Sequence, residues 1–134
     1  MENYYELDHA TYQLFSMENK SWQSSISQQV SEIPVWKDML MAGGSCISEQ
    51  RQQNENNGRD ILYSQLYHQQ MQMTKLEEDI KAQQQRLTNS FQQKHTDDIE
   101  SLCIQDILRH RIGAIEKTYI DLKCNFLQYL SKRI

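Results

Sequence analysis

LRHRIGAIEKTYIDLKCNFLQYL, residues 108–130, carries large apolar residues in steps of four and three: Leu108, Ile112, Ile115, Tyr119, Leu122, Phe126 and Tyr129. That spacing returns to one face of a helix with 3.6 residues per turn. So large an apolar stripe does not stay in water, and the helix it predicts must bury one side against other helices. A second row, Ile120, Cys124, Leu127 and Ile134, runs beside the first and widens the apolar surface. A wide stripe needs at least two neighbours, which favours a three- or four-helix arrangement over an isolated two-stranded coil.

Upstream, Leu62, Leu66, Met73, Leu76, Ile80 and Leu87 share one heptad seam, and Gln69 and Gln83 also fall on it. This is coiled-coil patterning. Lys75, Glu77, Glu78, Asp79 and Lys81 beside it suit a solvated helical face rather than an acid/base cluster. For the two seam amides, the plain expectation is a bundle open to water at those levels. The sharper one is a hydrogen-bonded device that fixes register and partner. HTDDIE, residues 95–100, reads as a helix start, and Thr88, Asn89 and Ser90 lower helix propensity just before it. Residues 60–134 are therefore expected to form a coiled-coil helical hairpin or a single rod. A rod would be about 110 Å long at about 1.5 Å per residue.

Further outward the pattern loosens. Tyr4, Leu7, Thr11 and Leu14 have helical spacing, and Trp22, Ile26 and Ile33 continue it on a shifted phase through a serine-rich run. IPVWKDMLMAGG, residues 33–44, reads as a separate short helix. Ser31 would cap it, Pro34 would stand in its first turn, and Gly43 and Gly44 would stop it. Val35, Trp36, Met39 and Leu40 would form a docking knob on that element. Residues 1–44 are thus an N-terminal helical region. The Asn/Gln-rich residues 45–59 read as a flexible polar linker. With one proline and four glycines in 134 residues, long helices are expected, and no period-2 alternation marks a strand.

Apolar residues make up 38% of the chain, a thin supply for a compact core, which suggests burial shared with a partner. The net charge of −4 disfavours nucleic acid as a partner. Three cysteines, Cys46, Cys103 and Cys124, have no C-x-x-C spacing and read as small apolar side chains in a reducing compartment. No basic-then-apolar leader and no spanning segment is present, so cytoplasm, or else nucleus, is the expected location.

Chemistry is sparse. His9, His68, His95 and His110 lack ligand spacing. Cys103 and His110 fall short of the four ligands of a structural zinc site and suggest one buried thiol and one surface imidazole. No nucleotide-binding loop or nucleophile elbow occurs. No catalytic residue, metal ligand or cofactor is assigned. Arg109, Arg111, Lys117, Lys123, Lys132 and Arg133 make a basic C-terminal end; the plain expectation is favourable charge near a helix C-terminus and ordinary solubility, and the sharper one is contact with acidic lipid headgroups or nucleic acid.

The two seams, Leu62–Leu87 and Leu108–Tyr129, are expected to be the oligomer or partner interface, with other coiled-coil proteins or a second copy as partner. In size and pattern the chain is similar to the small coiled-coil subunits of eukaryotic trafficking, ciliary and chromosome-associated assemblies. That similarity implies a non-enzymatic scaffold or adaptor. The rival expectation is a module that resembles the helices of BAR domains and binds anionic membrane surfaces.

Overall fold

The computed structural model of the chain describes residues 8–42, 49–93 and 99–132. They form three helices, α1 (His9–Ala42), α2 (Glu49–Gln93) and α3 (Ile99–Ser131), and no strand occurs among the described residues. The fold is all-α, a helical bundle. Asn19 meets Gln84 and Lys37 meets Gln70, so α1 and α2 run antiparallel. Gln83 meets Gln105 and Gln69 meets Ile115, so α2 and α3 do too. Glu18 reaches Arg109 and Glu32 reaches Tyr119, which makes α1 and α3 parallel walls against α2. Residues 60–134 are therefore not a rod: α2 and α3 fold back on each other.

α1 begins with a side-chain cap. The Asp8 carboxylate accepts the backbone N–H of Thr11 at 2.6 Å, one of the donors a helix start leaves unpaired. That hydrogen bond holds the Asp8 carboxyl below its usual range. Tyr4 and Leu7 lie outside the described residues.

Two elements were expected where α1 is one. Pro34 sits inside the helix, although it removes a backbone hydrogen bond and its ring crowds the preceding turn, at about 3 kcal/mol. Burial on both sides of it carries the helix through: Ile26, Ile33, Trp36 and Leu40 all lie in the core. Ser31 caps nothing; its hydroxyl donates to the Gln28 carbonyl at 2.6 Å within the helix. α1 ends at Ala42, just before Gly43.

The linker expected over 45–59 is also shorter than its composition suggests. α2 already starts at Glu49 and carries Gly58 inside it. Asn, Gln and Glu are loop-prone on average, but Gln and Glu are also good helix formers, and a long helix behind them propagates cheaply. At its other end α2 runs through Thr88, Asn89 and Ser90 to Gln93. The Thr88 hydroxyl bonds back to the Gln84 carbonyl at 2.9 Å, and Ser90 is buried. The expected cap residues 95–98 lie outside the described residues.

One apolar core passes through all three helices. It joins Ile26, Ile33, Trp36 and Leu40 of α1 to the α2 and α3 seams. α1 is thus a wall of the same bundle, not a region apart from an α2–α3 hairpin. A smaller cluster, Phe15 with Leu87 backed by Tyr12 and Leu102, closes the end where α1 begins.

Candidate assembly surface

The residues expected to meet a partner mostly meet each other. Leu62, Leu66, Met73, Leu76, Ile80 and Leu87 are buried on α2, as are Leu108, Ile112, Ile115, Tyr119, Leu122 and Phe126 on α3, and Tyr129 is half-buried. The partner of each seam is the rest of the chain. As an oligomer interface these positions are corrected: a side chain packed in the bundle has no face to offer outside.

The knob divides in the same way. Trp36 and Leu40 are core residues, whereas Val35 and Met39 are exposed. The Trp36 ring stacks on Tyr119 at 5.4 Å and on Phe126 at 5.3 Å between centroids, tying α1 to α3. It is an anchor within the bundle and not a mobile docking element. Above it, the Tyr119 hydroxyl donates to the Glu32 carboxylate. Burial first, and then that carboxylate, raises the tyrosine's pKa, so it stays a donor.

The seam amides are not open to water. Gln69 is 1% exposed and Gln83 0%. Gln69 Nε2 donates to the Ile115 carbonyl at 2.9 Å. Gln83 belongs to a polar layer built by all three helices, between the large core and the small one. Gln83 Nε2 donates to the Ser101 carbonyl at 2.9 Å and to Gln105 Oε1 at 3.2 Å. Gln105 Nε2 donates to Asn19 Oδ1, and Asn19 Nδ2 to Gln84 Oε1, both at 2.9 Å. Each amide gives and accepts in turn, so burial leaves it bonded. Glu18 and Arg109 close the rim with bonds of 2.9 and 2.7 Å. Sequence reasoning missed Asn19 and Gln105. The available signal was positional: each occupies a seam step, four after Phe15 and three before Leu108.

Four of the five charged candidates on α2 are paired. Asp79 takes Arg111 of α3 at 2.8 Å and Lys75 at 3.0 Å, and Glu77 takes Lys81 at 3.2 Å. Burial pulls the Asp79 carboxyl up, but the Arg111 and Lys75 hydrogen bonds outweigh it and hold its pKa below the usual range. A surface hollow between α2 and α3 includes His68, Gln72, Lys75 and Arg111. Lys75 and Arg111 are committed to Asp79, and His68 shares a 3.0 Å hydrogen bond with Gln72. Among the described residues no three His, Cys, Asp or Glu side chains gather as a metal site would require. Cys103 and His110 are both exposed, so the expected buried thiol is not one.

Other apolar side chains remain outward. The row expected to widen the α3 stripe faces away from the core: Ile120 is 59% exposed, Leu127 53%, and Cys124 is exposed with them. Ile134 lies outside the described residues. Val35, Met39 and Leu14 are exposed on α1, and Ile61, Tyr67 and Met71 on α2. Gly113 lies on the outward side of α3, in mid-helix, where glycine costs about 1 kcal/mol relative to alanine. A Cβ there would meet nothing within 4 Å, so packing inside the chain does not require the glycine; the same holds for Gly58. No protein-family model, curated protein or solved structure matches the chain.

Proposed function

We propose that the chain is a non-enzymatic helical subunit or adaptor of a multiprotein complex of the trafficking, ciliary or chromosome-associated type. One observation carries the reading. The bundle satisfies its inner seams by itself and still keeps Ile120, Cys124 and Leu127 in line on its outside. Single exposed apolar residues are ordinary on proteins, but an aligned row on a helix is the form that helix-to-helix contacts use.

The membrane-surface reading has less behind it. Of the basic C-terminal end, Arg109 is held by Glu18, and Arg111 by Asp79. Lys117 and Lys123 leave α3 on different bearings at the helical step of about 100°. Salt-sensitive co-sedimentation with anionic vesicles would reverse this preference.

The test is affinity capture of the tagged chain beside an Ile120→Ser, Leu127→Ser variant, with melting curves for both. The expected outcome is a defined complex, with a second copy or another protein, that the variant loses while it melts like wild type. Complex formation equal in both would remove the outward row as the contact surface and sink the reading.

A further inference from the structure

The outward face of α3 has a spacing that reads alike in both directions. Cys103, Asp106, His110, Gly113, Lys117 and Ile120 follow one another in steps of three, four, three, four and three. All six are exposed and share the side of α3 opposite its buried seam. We propose that a second copy of this chain docks on this face with its α3 antiparallel, the two-fold axis passing between His110 and Gly113. This rests on the assembly reading above and names the partner.

The palindromic spacing makes the register self-consistent. Cys103 of one copy then lies against Ile120 of the other, Asp106 against Lys117, and His110 against Gly113. Each contact occurs twice, as a two-fold interface requires. The outermost pair is Ile99 with Cys124, both exposed.

Charge selects this arrangement over its competitors. Parallel pairing in register would set Asp106 on Asp106 and Lys117 on Lys117, which repel. Sliding one antiparallel copy by seven residues takes the acid away from Lys117 in either direction: it meets Gly113 one way and Ile99 the other. In the proposed register apolar meets apolar and acid meets base. Asp106 is available for this: its contacts to Arg109 at 3.4 Å and His110 at 3.7 Å are exposed and weak. Lys117 has no ion-pair partner among the described residues. Gly113 also acquires a reason. Beside the axis the two backbones come closest, and a residue without a side chain leaves room for the facing imidazole.

A disulfide reports the register. The variant Ile120→Cys, carried with Cys46→Ser and Cys124→Ser, leaves Cys103 as its only other thiol. The two positions are about 25 Å apart along one helix at about 1.5 Å per residue, too far to join within a chain. Mild oxidation should give a covalent dimer on non-reducing gels, while the same chain with Ile120 restored gives none. Asp106→Lys and Lys117→Asp should each weaken the dimer by about three- to tenfold, and the double exchange should restore it. Light scattering supplies the outcomes that overturn the proposal. A chain that stays monomeric at roughly 100 µM, too dilute only for the weakest specific pairs, ends it. So does a dimer that neither charge exchange alters. A monomer that still enters a larger complex through Ile120 and Leu127 would end the self-docking proposal but leave the assembly reading intact.

Discussion

Ile115 and Ile120 are the same side chain five residues apart on α3. One is packed in the core beneath α2, and the other is 59% exposed on the far side of the helix. Five residues turn a helix by about 140°, enough to pass from an inner to an outer face. Each belongs to a row of apolar residues in steps of three and four, and the two rows look equivalent in the sequence. What separates them is supply: α1 and α2 cover one side of α3, and the chain has no fourth helix among its described residues to cover the other. Periodicity thus tells which faces can be buried, while the number of helices decides which are.

The largest expected effect tests the inner row. Ile115→Asp places a carboxylate on the buried seam, in the core shared by all three helices, where the nearby cations Lys75 and Arg111 are already committed to Asp79. The penalty should be several kcal/mol, comparable with the whole stability of a domain this size. Circular dichroism should show a cooperative melt lost or far lower. A wild-type melt would mean that the α3 seam is not a packing surface.

Next comes the join between α1 and α3. Trp36→Ala should cost about 3 kcal/mol, because the ring fills space against both Tyr119 and Phe126. Its exposed neighbour Val35, changed to alanine, should cost about 0.5 kcal/mol or less. Urea midpoints of the two variants measure the difference. Equal losses would show that the two residues share one environment, against the division of the knob described above.

These two sites also show how far the sequence could be read. The seams of α2 and α3 were legible because each keeps one phase over many turns, and tertiary packing agreed with local pattern. α1 was legible only in pieces. Pro34 and the serines around it argue locally for a break, and the burial of Ile33 and Leu40 that overrides them depends on helices far along the chain. Residues 49–59 misled for the opposite reason: with no apolar stripe, their helical propensity had nothing to reveal it. The amide layer was half legible. Gln83 stands out on a heptad, but its bonds to Gln105 and through it to Asn19 exist only once three helices are in register.

That layer supplies the third test, at intermediate magnitude. Gln105→Leu would leave Asn19 Oδ1 without its donor and Gln83 Nε2 without one acceptor in a dry site. The expected loss is about 1–3 kcal/mol. Replacing Asn19, Gln83 and Gln105 together by leucine should recover part of that loss, because an apolar layer leaves fewer polar groups unmatched. If the single variant melts at the wild-type temperature, the layer is hydrated, and its contrast with the dry apolar core disappears.

The smallest effect on folding is the one that separates the two faces of α3 most cleanly. Ile120→Asp makes the same chemical change as Ile115→Asp on the same helix. Ile120 keeps most of its surface in water, so the new carboxylate stays solvated and stability should change by no more than about 0.5 kcal/mol. The substitution should act instead on association: a carboxylate facing Cys103 of a second copy loses its solvation without gaining a partner. The informative result is therefore a dissociation of two measurements. Thermal melts at low concentration should nearly overlay wild type, while sedimentation at high concentration should shift from dimer to monomer. A large fall in the melt at every concentration would place Ile120 in the bundle's own core, and the two faces of α3 would no longer differ.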